Sequence, residues 1–594
     1  MKLLRLKIGS SFRSLPRGFE LYFLREFHYD DATKFNPYVL SGLNGSGKSN
    51  VLEALSSVFY HLDCIYLRHK PDYFDKSKDN LDGFDADRSE INSYEVEYFT
   101  FLDNEVFIDI DCSNFAHVLI TKRPNKRPEI EWVNQTKFRI SRELSQKESK
   151  ALLPEYIIGY ASGQNQILSL PFFKSRFLQY EEYVNFLKDD VPVEPKPESS
   201  LVYLDSDFSQ AILLANLLMQ PEEKGLLKPF TDFVKVEDVD RFRLIIKLNT
   251  HLPNSGVRNI SSDDQGADKM LQLIGLLDKR VGNSDYDLSY IDKLKSCATC
   301  YQEIQYYDVP RDDNDEEEFF DDSHYLYLDY KVNEATKKAF QFHFENNPLK
   351  LFELLQLFII LDKYEISQKE KIRIFNSKNL FLVNDIHRRP KEADRTLRFK
   401  DLYLRKTGLT KSIFTKALSD GEHQFMHSIG LSLLFKDART LFLLDEPETH
   451  FNPEWKAKFI SSLRDSFKLE EEKSENTMRE MLITTHSPYL ISDSEPEYVL
   501  LFRKNKTSGK VMKPMRPDFN TLGTSVNKIG IRLYDMPNTI GEYAQSLVKK
   551  YEDKFDCYMS DKEKNALLKE IYENLGESVE RVILINKILK SMDN

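Results

Sequence analysis

The chain has little of what builds a disulfide-stapled or membrane-embedded protein. Five cysteines in 594 residues are too few for a disulfide scaffold, which fits a reducing compartment. No apolar run reaches the roughly 20 residues of a transmembrane helix; the longest lies around Leu354 to Leu361. The opening Met1-Lys2-Leu3-Leu4-Arg5-Leu6-Lys7-Ile8 alternates charged and apolar residues like a first strand, not like a secretory leader. A cytoplasmic protein with no membrane partner is expected. A basic excess is missing too. With 83 Lys plus Arg against 95 Asp plus Glu the net charge is −12, which excludes a uniformly basic coat for nucleic acid and leaves only local patches. The pair Cys297-Ala298-Thr299-Cys300 has metal-ligand spacing, but neither flank carries the sustained heptads that a paired hook would need. Two ordinary thiols are expected there.

What the chain does have is a phosphate-binding loop. Gly42-Leu43-Asn44-Gly45-Ser46-Gly47-Lys48-Ser49 is a full G-x-x-x-x-G-K-S motif. The short apolar run Pro37-Tyr38-Val39-Leu40-Ser41 before it reads as a strand. After it, Val51, Leu52, Leu55, Val58, Phe59 and Leu62 recur at helical spacing, so the loop stands at a helix N-terminus. Glycines let successive backbone N–H groups curl around phosphates, and the helix end adds partial positive charge. In such a loop Gly42, Asn44, Gly45, Ser46, Gly47 and Asn50 frame the nucleotide, Lys48 bridges the β- and γ-phosphates, and Ser49 ligates Mg²⁺. ATP and Mg²⁺ are the cofactors this implies.

Three more motifs follow. Thr440-Leu441-Phe442-Leu443-Leu444-Asp445-Glu446 is an apolar strand ending in two acids, the form of a Walker B motif, in which Asp445 serves Mg²⁺ and Glu446 orients or deprotonates the attacking water. Leu418-Ser419-Asp420-Gly421-Glu422 opens a helix, and its Ser is also a natural helix cap. Met481-Leu482-Ile483-Thr484-Thr485-His486-Ser487-Pro488 is a strand ending in a histidine.

Elsewhere, Tyr94 to Phe101 and Val106 to Ile110 read as a hairpin, Phe115 to Thr121 and Ile130 to Val133 as a second one, and Pro154 to Tyr160 as a buried strand. Val191 to Pro197 reads as a Pro-rich linker, Gln210 to Gln220 as an amphipathic helix, Lys337 to Asp362 as helical, and Arg311 to Glu318 as an acidic solvated loop. The last periodic stretch puts Val579, Val582, Ile583, Ile585, Ile588 and Leu589 on one apolar face. The length suggests two to four units. The expected architecture is α/β: a P-loop ATPase head built from 1–165 and 376–534, interrupted by a largely helical insertion at 166–375 and followed by a helical region at 535–594.

The order phosphate loop, Ser419-Asp420-Gly421, Asp445-Glu446-Pro447-Glu448-Thr449-His450 and Thr484 to Pro488 resembles the SMC-like and OLD-like branch of ABC ATPases. In that branch two protomers sandwich ATP, so the resemblance implies a head-to-tail homodimer or larger oligomer. It further implies that Ser419 and Gly421 act across the interface, that His486 senses the γ-phosphate, and that a glutamine after the Pro154 to Tyr160 strand, Gln164 or Gln166, reaches Mg²⁺ and nucleotide. Arg13 resembles the arginine such ATPases place near the nucleotide. No acidic cluster of a Toprim nuclease follows His486. Phe519 to Asn527 and the helical tail instead look like the ATPase subunit of Septu-type anti-phage systems, including retron-associated ones. That likeness implies slow ATP hydrolysis controlling a small HNH nuclease on a separate chain, with a retron reverse transcriptase and its nucleic-acid product as further partners. The alternative is an SMC/RecF-like DNA-repair ATPase acting directly on DNA, which the basic segments Lys122 to Arg127, His387 to Lys391 and Arg503 to Lys510 would serve. A transporter ATPase, which would present a coupling surface for a membrane subunit, fits poorly with the insertion and the SMC-like motifs.

Overall fold

The structure is a computed structural model of the chain. It describes all residues except 25–33, 79, 82, 109–114, 139–141, 163–167, 189–195, 197, 222–224, 249–250, 253–270, 273–287, 307–322, 364–366, 379–394, 472–477, 506, 535–539, 557 and 593–594. Gln164, Gln166, the acidic run from Arg311 to Glu318, the basic run from His387 to Lys391 and all of the Pro-rich stretch but Lys196 lie outside the described residues. Among the described residues no helix is long and apolar enough to cross a membrane.

A six-stranded sheet forms the centre. Its strands run, edge to edge, Val499–Phe502, Tyr38–Gly42, Glu480–Thr485, Thr440–Asp445, Tyr156–Ala161 and Leu201–Tyr203, and every neighbouring pair is parallel. The four middle strands are buried along nearly their whole length. That is why they read in sequence as continuous apolar runs without alternation. The helix Lys48–Tyr66 packs on this sheet, while Phe59 on its far side meets Tyr98 of a second sheet, ring centroids 6.4 Å apart. Covered on both sides, it buries fifteen of its nineteen residues. Parallel sheets of this kind gather their ligands at the carboxyl ends of the strands.

The second sheet is antiparallel, in the order Phe19–Tyr22, Lys2–Ile8, Tyr94–Phe101, Phe115–Lys122, Glu129–Trp132. One expectation fails here. Tyr94–Phe101 pairs with Phe115–Lys122, in register from Tyr94 with Lys122 to Phe101 with Phe115, and not with Val106 to Ile108; Asp109 and Ile110 of the expected partner lie outside the described residues. The backbone N–H groups of Val106 and Phe107 both turn back onto the Asp103 carbonyl, at 3.1 and 2.9 Å. Phe115–Lys122 offers eight alternating positions to the pairing, which the shorter stretch cannot match. The second expected hairpin forms, with Val118 to Thr121 opposite Glu129 to Trp132.

A third sheet, also antiparallel, runs Cys300–Tyr306, Ser323–Lys331, Val236–Lys247, Leu397–Lys406, Ile413–Phe414. The segment 166–375 thus carries strands as well as helices, and one of its sheets crosses the expected boundary near 376. The reason is long-range pairing: Val236–Lys247 finds its partner in Leu397–Lys406, which no local pattern reports. The helix Ser209–Met219 is buried from Ala211 to Met219, not amphipathic, and the helices Asp420–Leu434 and Pro348–Lys363 both pack against it. The helical stretch expected from Lys337 to Asp362 is two helices, Glu334–His343 and Pro348–Lys363, broken where Glu345 and Asn346 take left-handed φ of 55° and 53°. Cys297 is buried at the end of its helix and Cys300 is exposed at a strand start.

The helix Val526–Tyr534 belongs to the main core through Ile529 and Leu533. Beyond it, Glu542–Lys554, Asp561–Asn574 and Val579–Lys590 share a separate small core that includes Tyr551, Ile571, Leu584 and Ile588. Only part of the apolar face read on the last helix is used: Val579, Val582 and Ile583 stay more than half exposed.

Candidate active site

The phosphate loop joins Tyr38–Gly42 to Lys48–Tyr66. Gly42, Gly45 and Gly47 hold φ of 151°, 70° and 99°, values an L side chain avoids. Space is as restrictive at Gly42, where an added Cβ would sit 2.2 Å from the Phe502 carbonyl oxygen. Gly47 caps the helix without a side-chain hydrogen bond, which leaves first-turn N–H groups for a ligand. The Ser46 hydroxyl is buried and without a partner, while Asn44 and Gly45 are exposed. A glycine cradle with an uncapped helix end and an orphaned hydroxyl fits a polyphosphate.

Lys48 lies folded back within the loop. Its Nζ donates to the Gly42 carbonyl at 2.9 Å and stands 2.9 Å from His486 Nε2, with the Leu43 carbonyl at 3.4 Å. Burial lowers its pKa to about 8, against the opposing pull of Glu446 and Asp445. Burial and then the Lys48 charge drop His486 to about 4. The imidazole is therefore neutral at pH 7, with Nε2 accepting from Lys48. Glu446 Oε1, 3.4 Å from the same Nε2, faces a neutral ring and not an ion-pair partner.

The acid pair sits at the end of Thr440–Asp445. Ser49 Oγ donates to Asp445 Oδ1 at 2.9 Å, and the Thr484 hydroxyl donates to the same oxygen. This hydroxyl–carboxylate pair has the hard oxygen donors that Mg²⁺ takes. Glu446 then turns the chain: its φ is +50°, a conformation costing a non-glycine residue about 1–2 kcal/mol. Its N–H is held by the Thr484 carbonyl at 3.2 Å and hydroxyl at 3.1 Å. Burial, followed by the neighbouring Asp445 charge, raises the Glu446 carboxyl above its ordinary range, which strengthens it as a base. Three separate chain segments thus bring Lys48, Ser49, Asp445, Glu446 and His486 together.

Behind them Glu448 is buried, accepts from the Thr485 hydroxyl and leaves Oε2 without a partner. Burial pushes it up to about 7. A carboxyl raised on folding binds more protons folded than unfolded between about pH 4.5 and 7, so stability falls as pH rises through that window. Glu448→Gln is expected to remove a loss of about 3 kcal/mol, seen as a flatter melting temperature between pH 5 and 8 than in wild type. Equal pH slopes in the two proteins would refute the assignment.

Ser419 caps the helix Asp420–Leu434 through a capping box with Glu422 and is exposed. An added Cβ on Gly421 would lie 2.7 Å from the His450 carbonyl oxygen, so the signature glycine fits closely against the segment after the acid pair. No hydrogen bond or ion pair among the described residues joins Ser419 or Gly421 to the phosphate loop. Arg13, at φ 49° in the turn Phe12 to Leu15, spends its guanidinium on Glu53 at 2.9 Å and Glu90 at 3.2 Å. Its neighbour Ser14 donates to Asn50 Oδ1 at 2.6 Å.

Three contributors were not read from the sequence. Thr484 orients both acids. Lys504 places Nζ 2.9 Å from where a Gly45 Cβ would be, and Tyr534 reaches Ser41 and His486. Thr484 lay inside a recognised motif and Lys504 inside the basic run Arg503 to Lys510, read there as a nucleic-acid patch; Tyr534 has no local signal.

Fold and site define the class: a P-loop ATPase-type α/β head. Residues 307–492 match the family model described as "AAA domain, putative AbiEii toxin, Type IV TA system", a span that holds the acid pair and His486 but not the phosphate loop. No curated protein matches the chain. Among solved structures it is similar to an SMC head bound to the C-terminal winged-helix domain of ScpA, at 10% identity, TM-score 0.31, and 87% of this chain covering 98% of that one. It is similar also to the SMC head domain from Thermotoga maritima, at 10% identity, TM-score 0.30, with 87% and 100% covered. A third is an Smc head with an extended coiled coil, bound to the C-terminal domain of ScpA, from Pyrococcus furiosus, at 11% identity, TM-score 0.29, with 87% and 96% covered. These superpositions are loose, and the class rests on the strand order and the site.

Proposed function

We propose that the chain binds and hydrolyses ATP as an ABC-type ATPase and, in an anti-phage defence complex, controls a nuclease carried on a separate chain. The observation that carries the ATPase reading is the convergence of Lys48, Ser49, Asp445, Glu446 and His486 at the carboxyl ends of three parallel strands. Loop N–H groups and Lys48 would hold the phosphates; Ser49 and Asp445 would hold Mg²⁺, which supplies charge neutralisation at the phosphoryl oxygens. Glu446 receives the proton of the attacking water, and His486 contacts the phosphate end. Exposed Ser419 would complete the partner protomer's site in a head-to-tail pair.

The defence role rests on the resemblance of the motif set and tail, with the exposed apolar face at Val579, Val582 and Ile583 supporting a docked protein chain. Purification from the native locus with neighbouring genes intact, followed by mass spectrometry and nucleic-acid sequencing, tests it. Recovery of a small HNH protein, with or without a reverse transcriptase and its DNA, is the expected result. Chromosomal DNA or repair factors alone would instead establish the DNA-repair ATPase.

A further inference from the structure

Tyr534 ends the helix Val526–Tyr534, whose Ile529 and Leu533 are fixed in the main core. Its hydroxyl shares a hydrogen bond of 2.8 Å with Ser41 Oγ, and Ser41 is the fully buried residue directly before Gly42. Its ring lies 6.4 Å from the His486 ring, centroid to centroid, at 33°. His486 is thereby bounded on its Nε2 edge by Lys48 and Glu446 and by an aromatic ring beside it. Burial keeps the phenol of Tyr534 protonated well above its ordinary range, so the hydroxyl remains available for the Ser41 bond at any pH the protein meets.

We infer that Tyr534 is a positioning residue for His486, tying the histidine and the base of the phosphate loop to one helix so that the imidazole is set for the terminal phosphate. The inference rests on the ATPase reading and deepens it. A ring packed against an imidazole limits its rotation about χ2, and the Ser41 bond fixes the ring in turn. Loss of the tie frees His486 and its contact with Lys48 Nζ, while the glycine φ values of the loop and the Lys48 bond to the Gly42 carbonyl remain. The effect therefore falls on the γ-phosphate and spares the phosphates that ADP shares with ATP.

Binding of fluorescent ATP and ADP analogues to the full chain, in Mg²⁺, tests this alongside steady-state turnover. Tyr534→Leu is expected to reduce the preference for ATP over ADP by about tenfold, as loss of one to two polar and ring contacts would, with ADP affinity kept within about twofold. Tyr534→Phe, which keeps the ring and loses the hydroxyl, is expected to fall between, at about two- to fivefold. If the leucine variant does not fold, Tyr534→Phe and Ser41→Ala carry the test, both sharing the smaller loss. Equal weakening of ATP and ADP, or no change in either, overturns the positioning role alone. A wild-type protein that binds neither nucleotide overturns the ATPase reading and the inference with it.

Discussion

Glu446→Gln is expected to leave ATP binding intact, to trap the closed pair of protomers, and to lower turnover by about 10²-fold or more, the range for removing a positioned general base. The substitution keeps the side chain's size and its N–H bonds to Thr484, so the strained turn at φ +50° survives. What goes is the carboxylate that burial has made more basic. Single-turnover phosphate release and light scattering with ATP read the two halves of this result. An unchanged hydrolysis rate would sink Glu446 as the catalytic acid–base group.

The second large effect is on binding. Lys48→Ala is expected to weaken ATP by about 100-fold or more, as losing charge-assisted hydrogen bonds of about 1.5–3 kcal/mol together with a buried countercharge would do. Folding stability moves the other way or not at all. Burial already lowers the Lys48 pKa to about 8, so the native state carries a desolvation cost that alanine removes. A titration showing normal ATP affinity would contradict the phosphate-loop reading, whereas a large drop in melting temperature would make Lys48 a folding residue.

Much of this was legible because the motifs are local. The strands ending at Gly42, Asp445 and Thr485 are buried on both faces, so each announces itself as an unbroken apolar run with its functional residue at the end. The third sheet was not. Cys300–Tyr306 and Ser323–Lys331 are separated by sixteen residues of acidic composition, and their partner Val236–Lys247 is completed only by Leu397–Lys406. The helix Ser209–Met219, read as amphipathic, differs for a related reason: even its polar Asn216 is inside the core, where its Nδ2 donates to the Ile212 and Gly430 carbonyls. At the site, Thr484 could have been found from its motif. Tyr534 could not, since a tyrosine closing a helix acquires meaning only from the residues that other elements bring to it.

The third sheet decides where this polypeptide can be cut. A break near residue 376, where the sequence changes character, would part Val236–Lys247 from the strand Leu397–Lys406 that pairs with it. Each fragment would then expose a raw strand edge, a template for aggregation. The joint between Tyr534 and the three closing helices severs no sheet, and those helices keep a core of their own. A cut at that joint is therefore expected to leave the three large sheets and the main core together.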